Sequence, residues 1–293
     1  MTTAAQWVSG ARPRTLPAAV VPVFIGAAVA NRSLFGAEEL LFHGALALLV
    51  SLALQIAVNF ANDYSDGVRG TDHDRKGPMR LVGSGAATPL AVKRAALIAF
   101  AVAAAAGTLL AALSSWWLMV VGVVCIVAAW TYTGGPKPYG YAGWGELFVF
   151  VFFGLVATVG TTFVLSSEIT ALAVTAGCVA GFLAVALLVV NNLRDIASDA
   201  MNGKKTLAVR IGPRNTRVLY VGCYVAAGLG IATSSFMQPS ALLGLVGLLA
   251  VLPAISTVLS ARDAASLVRA LGMTARAQVV VGMLYALGFV IQS

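Results

Sequence analysis

Nine apolar stretches, separated by polar connections, dominate this 293-residue sequence. Most are close to the roughly 20 residues that a helix needs to cross a hydrocarbon layer ~30 Å thick. With 59% hydrophobic and 10% charged residues, the chain has too little polar surface for a water-soluble domain. We therefore predict an all-α polytopic membrane protein, a single domain over 1–293 with about nine helices. The predicted spans are 15–32, 41–61, 94–113, 115–131, 145–166, 170–190, 217–235, 240–260 and 276–292.

Positive charge divides the connections between these spans into two sets. Cytoplasmic loops of membrane proteins carry an excess of Lys and Arg. With nine spans, all but Arg32 of the 19 basic residues fall on the side of the N-terminus. The sequence therefore predicts a cytoplasmic N-terminus, and orientation accounts for most of the net charge of +8. No basic stripe is interleaved with aromatic residues, so the charge does not indicate nucleic-acid binding.

Two connections on the predicted cytoplasmic side, about 62–93 and 191–216, are long and rich in charge. They hold six of the 11 acidic residues, namely Asp63, Asp66, Asp72, Asp74, Asp195 and Asp199. If the second span continues into its loop as helix, Asn62 and Asp66 lie one turn apart on one face. In the second loop, Asn191, Asp195 and Asp199 share a face by the same spacing. We expect any chemistry to be located here.

The pattern Asn-x-x-x-Asp occurs in both loops, at 62/66 and at 191/195. This repetition predicts an internal duplication in which the second span corresponds to the sixth. Two equivalent helix ends would then face each other across a central cavity. Neighbouring carboxylates repel each other, so another group must offset their charge. One interpretation is a solvated loop whose acids balance nearby Lys and Arg; the other is a Mg²⁺ site, because Mg²⁺ takes carboxylate and amide oxygens and bridges to phosphates.

Basic residues accompany both acidic patterns. Arg80 follows the first pattern, and Lys204 and Lys205 follow the second. Together with a metal ion, such cations would hold a diphosphate and stabilise it as a leaving group. Each basic residue taken alone is also explained by the positive-inside pattern.

Several of these motifs resemble the UbiA superfamily of intramembrane prenyltransferases. The resemblance covers nearly the whole chain and is carried by Arg12-Pro13-Arg14-Thr15-Leu16-Pro17, Asn62-Asp63-Tyr64-x-Asp66-Gly67, Gly77-Pro78-x-Arg80, Tyr132-Thr133-Gly134-Gly135-Pro136-Lys137-Pro138, Asn191-Asn192-Leu193-Arg194-Asp195-x-x-x-Asp199 and Gly203-Lys204-Lys205-Thr206-Leu207. Gly70 stands where the broader superfamily pattern has a further acid, and the next acid is Asp72. In this respect the chain is similar to the branch that prenylates 1,4-dihydroxy-2-naphthoate, rather than to the 4-hydroxybenzoate branch.

The resemblance implies a Mg²⁺-dependent aromatic prenyltransferase of menaquinone biosynthesis in the bacterial cell membrane. A polyprenyl diphosphate would be held through Mg²⁺ at the cytoplasmic side, with its tail among the helices and open to the lipid bilayer. The allyl cation left by the diphosphate would be attacked by the ring of 1,4-dihydroxy-2-naphthoate, at the carbon that loses CO₂, to give demethylmenaquinone. The implied metal ligands are Asn62, Asp63, Asp66, Asp72, Asp195 and Asp199, of which Asn62, Asp66, Asp195 and Asp199 are also the catalytic candidates. The implied substrate-binding residues are Arg80, Tyr132, Lys137, Tyr139, Asn191, Asn192, Lys204 and Lys205.

Two other classes of function remain as alternatives. Intramembrane phospho-alcohol transferases also use aspartates at helix ends, but only Asp66-Gly67-Val68-Arg69 matches the start of their signature. A transporter is the non-enzyme alternative, although the acidic residues cluster at one membrane face rather than at its middle. Glu146, just inside the fifth span, is costly to bury in a membrane, and the sequence does not decide between burial and an interfacial position.

Overall fold

The computed structural model describes residues 2–30, 36–71 and 79–291, which fold into helices without a β-strand. The α-helices are α1 (Ala4–Gly10), α2 (Pro17–Val29), α3 (Ala37–Arg69), α4 (Pro89–Leu113), α5 (Leu118–Thr131), α6 (Gly145–Val149), α7 (Ala157–Ser166), α8 (Ala171–Met201), α9 (Leu207–Ser235), α10 (Leu243–Gly247), α11 (Leu252–Ser260) and α12 (Ala264–Val290). A π-helical segment, Phe150–Val156, joins α6 to α7. The predicted all-α class is confirmed.

Seven helical segments in the described ranges are long and apolar enough to cross a membrane. They are Ala37–Arg69, Pro89–Leu113, Gly145–Ser166, Ala171–Met201, Leu207–Ser235, Pro239–Ser260 and Ala264–Val290. The shorter apolar helices α2 and α5 coincide with the first and fourth predicted spans. The count of nine spans and the side of the N-terminus stay predictions.

The helices that carry the two acidic patterns are longer than their apolar stretches. α3 continues to Arg69 and ends where Gly70 adopts a left-handed conformation, with φ of 74°. α8 continues to Met201. Both Asn-x-x-x-Asp patterns are therefore helical, as predicted, and the polar residues of each lie on the last turns of a helix. The correspondence of these two helices as an internal repeat stays a prediction.

α8 is the central helix of the structure, and most of its apolar stretch is buried. It packs against α2, α9, α12 and the π-helical segment. The approach of the π-helical segment depends on glycine, because a Cβ at Gly154 would lie 2.4 Å from the Cα of Gly181. Small residues allow such close crossings between membrane helices. This crossing places α6 beside the polar C-terminal end of α8.

The segment that precedes α2 is tied to α3 by buried amides. Asn59 donates from Nδ2 to the carbonyl oxygen of Ala11 at 2.8 Å and to Thr15 Oγ1 at 3.0 Å. Arg12 donates back to the carbonyl oxygen of Asn59 at 3.3 Å. These bonds hold the N-terminal segment over one end of the helix assembly, where Arg12 borders the cavity described next.

Candidate active site

A cavity of about 1130 Å³ lies between the helices and has a charged end and an apolar part. The charged end is lined by Arg12, Asn62, Asp66, Arg80, Asn191, Arg194, Asp195, Asp199 and Lys204. The apolar part is lined by side chains such as Val50 of α3, Val121 of α5 and Val164 of α7. Ala47 and Asp66 both line the cavity and are about 28 Å apart along α3, at ~1.5 Å per residue. The cavity therefore extends over a length similar to the thickness of a hydrocarbon layer.

Asp66 is the centre of a group of basic and hydroxyl side chains. Its Oδ1 accepts hydrogen bonds from Lys204 Nζ at 3.0 Å and from the hydroxyl of Tyr141. An Nη2 atom of Arg80 lies 3.8 Å from Oδ2. All four side chains line the cavity. Lys204 follows α8 in sequence, so this ion pair brings the ends of α3 and α8 together, as the repeated pattern predicted.

Asp195 forms a bidentate ion pair with its neighbour Arg194. Arg194 Nε lies 2.7 Å from Asp195 Oδ1, and Nη2 lies 2.6 Å from Oδ2. The same Nη2 donates to Asn191 Oδ1 at 2.8 Å. Asp199, one turn further along α8, also lines the cavity. At both helix ends, the cavity is therefore lined by carboxylate and amide side chains with a buried cation paired to an aspartate.

The two asparagines beside these acids have fixed partners. Asn62 Oδ1 accepts a hydrogen bond from Thr133 Oγ1 at 2.7 Å. Asn192 donates from Nδ2 to Glu146 Oε1 at 3.0 Å. Both asparagines line the cavity, whereas Glu146 is buried behind its wall. The structure therefore places Glu146 in the interior rather than at the interface.

Asp63 is adjacent to this site but points elsewhere. It is fully buried, and its Oδ2 and Oδ1 accept hydrogen bonds from the backbone N–H groups of Leu81 at 2.7 Å and Val82 at 3.0 Å. Asp63 is not among the residues that line the cavity. Both Asp63 oxygens are therefore occupied by hydrogen bonds from the segment that follows Arg80. This geometry does not support the predicted role of Asp63 as a metal ligand.

Aromatic rings form one wall of the cavity near its charged end. The Tyr132 and Tyr139 rings meet edge to face with centroids 5.4 Å apart, and Tyr139 stacks on Phe148 at 3.9 Å. The hydroxyl of Tyr139 donates to the carbonyl oxygen of Ala128 at 2.9 Å. Because burial raises the pKa of Tyr139 above its ordinary value, this hydroxyl stays protonated. The predicted pair Tyr132 and Tyr139 therefore forms an uncharged aromatic surface in the cavity.

Of the predicted site residues that the structure describes, Lys137 and Lys205 do not line this cavity, and neither does Asp63. Lys137 and Lys205 are exposed and border a separate surface depression together with Arg210. The backbone N–H of Lys205 donates to the carbonyl oxygen of Tyr141 at 2.8 Å. The backbone of Lys205 therefore holds the segment that carries Tyr141, although the Lys205 side chain is exposed. Asp72 lies outside the described residues.

The comparison with protein families agrees with the sequence motifs. The model of the UbiA prenyltransferase family matches residues 19–277. The chain belongs to this family. Among curated relatives, a 1,4-dihydroxy-2-naphthoate octaprenyltransferase of Mycobacterium tuberculosis is 48% identical over 280 residues, which cover 96% of this chain and 95% of the relative. A protein of the same name from Escherichia coli is 37% identical over 230 residues, covering 76% of this chain and 73% of the relative.

Solved structures of UbiA homologs share the fold. The apo structure of a UbiA homolog from Aeropyrum pernix K1 matches with a TM-score of 0.69, over 95% of this chain and 96% of that chain. A UbiA homolog from Archaeoglobus fulgidus bound to DMAPP and Mg²⁺ matches with a TM-score of 0.59, over 95% of this chain and 98% of that chain. Both are 15% identical to this chain, so the likeness establishes the architecture of this UbiA family member.

The oxygen atoms at the charged end are of the kind that Mg²⁺ accepts. Within the described residues, no three acidic, His or Cys side chains are arranged to hold a metal by themselves. Asn62, Asp66, Asn191, Asp195 and Asp199 nevertheless line one end of one cavity. Carboxylate and amide oxygens are ligands that Mg²⁺ accepts, and this ion commonly keeps water and binds substrate phosphates as well. The donor set of this UbiA protein therefore fits a divided site.

Tyr141 and Arg194 are site residues that sequence reasoning did not select. Tyr141 donates to Asp66, and Lys204 Nζ lies 4.7 Å from the centre of its ring. Burial and the charge of Asp66 raise the pKa of the Tyr141 hydroxyl, which keeps it a donor. Tyr141 lies two residues after Tyr139 in the loop shared by the UbiA motif, and Arg194 directly precedes Asp195. Both could have been found by asking which groups neutralise the aspartates.

Proposed function

We propose that this UbiA family member transfers a polyprenyl group from an allylic diphosphate to 1,4-dihydroxy-2-naphthoate, releasing diphosphate and CO₂ and forming demethylmenaquinol, the hydroquinone form of demethylmenaquinone. The observation that carries the proposal is a single cavity with a divided acidic and basic end, an aromatic wall beside it, and an apolar part about 28 Å long. A diphosphate, an aromatic ring and an isoprenoid tail match these three regions in order. The similarity to two naphthoate octaprenyltransferases supports this choice of aromatic substrate.

In this proposal the charged end binds the diphosphate. Asn62, Asp66, Asn191, Asp195 and Asp199 would hold Mg²⁺, which would neutralise charge on the departing diphosphate. Lys204, Arg80 and Arg194 already lie at this end as partners of the two aspartates. Their charges would be available to the phosphate oxygens. Charge-assisted hydrogen bonds to phosphate are strong, so these contacts would contribute to diphosphate binding. The departing diphosphate would thus be stabilised by groups that need little rearrangement.

The remaining walls of the cavity would protect and orient the reacting carbons. Tyr132, Tyr139 and Phe148 present ring surfaces next to which a naphthalene ring can pack. Apolar side chains such as Phe152 and Val156 line the cavity beyond them. Exclusion of water by these side chains prevents capture of an allyl cation before the ring attacks it. Since CO₂ leaves from the attacked carbon, no ring proton has to be removed there.

We further propose that the site faces the cytoplasm of a bacterial cell. The basic residues predicted to be cytoplasmic include Arg80, Arg194 and Lys204, which surround the acidic helix ends. The positive-inside rule supports the orientation. The bilayer would receive the isoprenoid tail and the prenylated product.

The deciding experiment is the mass of the product formed from a panel of aromatic substrates. Purified protein in detergent, given one prenyl diphosphate and Mg²⁺, is expected to convert 1,4-dihydroxy-2-naphthoate into a prenylated product that lacks the carboxylate group. The reaction should stop when Mg²⁺ is chelated. Prenylation of 4-hydroxybenzoate with no reaction of the naphthoate would contradict the proposed substrate. Solute uptake into vesicles without any prenylation would instead favour a transporter.

A leucine at Gly160 is expected to shorten the isoprenoid tail that the cavity accepts. Gly160 lines the cavity about 21 Å along its helix from Glu146, and an added Cβ there meets no atom within 4 Å. We expect Gly160→Leu to raise KM for an octaprenyl diphosphate by about tenfold, because the tail and the new side chain compete for one space. KM for geranyl diphosphate should not change.

Gly222→Leu is the matched control for this substitution. Gly222 is an exposed glycine on α9, with open space around its Cβ, and it does not line the cavity. Kinetics with the two donors on both variants give four KM values to compare. An unchanged KM for the octaprenyl donor in Gly160→Leu would mean that the tail does not pass this residue.

A further inference from the structure

Glu146 is a buried acid that the proposed chemistry does not use. It lies in the first turn of α6, only 8% of its surface is exposed, and its side chain is behind the cavity wall. Oε1 accepts a hydrogen bond from Asn192 Nδ2 at 3.0 Å, and no described residue donates a hydrogen bond to Oε2. A buried acid with an unsatisfied oxygen lowers stability, especially within a membrane. Such a residue points to a role other than packing.

Asn192 is the only described residue that donates a hydrogen bond from its side chain to Glu146, and it lines the cavity. The two ends of an Asn amide have nearly the same shape, so packing alone does not select which end faces the cavity. A carboxylate accepts hydrogen bonds, and therefore attracts the Nδ2 end. The Oδ1 end is left without a donor among the described residues. Glu146 thus presents a hydrogen-bond acceptor to the cavity through Asn192.

The Glu146–Asn192 pair borders the aromatic wall. A Cβ added to Gly145, the residue before Glu146, would lie 3.3 Å from the hydroxyl oxygen of Tyr132 and 3.4 Å from Leu188 of α8. Tyr132 and Leu188 also line the cavity. The backbone beside Glu146 therefore borders the surface that we assign to the aromatic ring, and Asn192 lines the same cavity as that surface. The matching group on that ring is a hydroxyl donor.

We infer that Glu146 is a positioning residue that orients the amide of Asn192 so that its carbonyl oxygen binds a hydroxyl group of the aromatic substrate. The inference deepens the proposed function and rests on it for the identity of that substrate. Without Glu146 the amide can turn and present its NH₂ group, which does not accept the hydrogen of a hydroxyl.

A double-mutant cycle on Glu146 and Asn192 tests the inference. We expect Glu146→Ala and Asn192→Ala each to raise KM for 1,4-dihydroxy-2-naphthoate by about tenfold, the usual effect of one lost hydrogen bond, with KM for the prenyl diphosphate unchanged. The double variant should be no worse than either single variant, because both remove the same contact. Glu146→Gln keeps an oxygen that accepts from Asn192 and should recover most of the wild-type KM. Glu168→Ala, at an exposed acid beyond α7, is the control.

Substrate analogues that lack one or the other hydroxyl give a second measurement. The wild type should discriminate against one analogue, and both Glu146→Ala and Asn192→Ala should lose that discrimination. Additive effects in the cycle, equal changes in both KM values, or discrimination kept in Asn192→Ala would each overturn the inference. Failure of the wild type to prenylate the naphthoate would reject the proposed function instead. The same cycle, run with whichever aromatic the protein prenylates, then tests Glu146 separately.

Discussion

Replacement of Asp66 by Asn should lower turnover by about 10²–10³-fold while the protein remains folded. Asp66 is the carboxylate that faces the cavity between Lys204, Arg80 and Tyr141. Asn has nearly the same shape and keeps one oxygen but has no negative charge, so the proposed metal site loses a charged ligand and the two cations lose their counter-ion. Removal of one preorganised electrostatic group from an active site has effects of this size. Steady-state turnover and thermal unfolding in detergent measure the two parts of the prediction.

Asp263→Asn is a suitable control for Asp66→Asn. Asp263 is an exposed acid that caps α12 by accepting a hydrogen bond from the N–H of Ser266 at 2.7 Å. Asn caps helices about as well as Asp, and Asp263 does not line the cavity. This variant should keep its turnover. Normal turnover in Asp66→Asn would remove the argument that the acidic helix ends bind a metal-diphosphate.

Replacement of Asp63 by Asn should have the opposite profile, with a large loss of stability. Both Asp63 oxygens accept backbone N–H groups, from Leu81 and Val82, in a fully buried position. Asn offers one oxygen, and its NH₂ group would face the second N–H donor. An unsatisfied buried donor and a lost charge-assisted bond together destabilise the protein by about 3 kcal/mol. Chemical unfolding in detergent would measure the loss, with Asp263→Asn, at an exposed acid, as the control.

The dependence of Asp63→Asn on Mg²⁺ separates the structural role from the metal-binding role. At a temperature where this variant is folded, we expect its requirement for Mg²⁺ to match that of the wild type. Wild-type stability combined with a raised requirement for Mg²⁺ would show instead that Asp63 is a ligand, as the motif alone suggested.

The helical part of the site was predictable because it depends on local spacing. Asn62 and Asp66 lie on one face of α3, and Asp195 and Asp199 on one face of α8, as the i,i+4 pattern requires. The apolar stretches located the helices for the same reason. The spacing does not predict the path of the segments that connect the helices.

The roles of Asp63, Lys137 and Tyr141 depend on those segments. Asp63 is close to Asp66 in sequence, yet the chain returns at Leu81 and Val82 to occupy its oxygens. Lys137 belongs to a motif of the UbiA family but its side chain is exposed, whereas Tyr141 reaches Asp66 from the same loop. Sequence spacing does not reveal such contacts, which join residues 18 and 19 positions apart at Asp63 and 75 positions apart at Tyr141.

The ion pairs within the site have a consequence for how ligands enter. Lys204 and Arg194 form ion pairs with Asp66 and Asp195. Under the proposed function, a cation that bound alone would leave these two basic groups buried without counter-ions, and an anion that bound alone would meet the aspartates. Removing only one partner of a buried ion pair is strongly unfavourable, because the other charge is left uncompensated. Entry is therefore an exchange of partners in which metal and diphosphate arrive as one neutralised unit, and the affinity for each rises steeply with the concentration of the other.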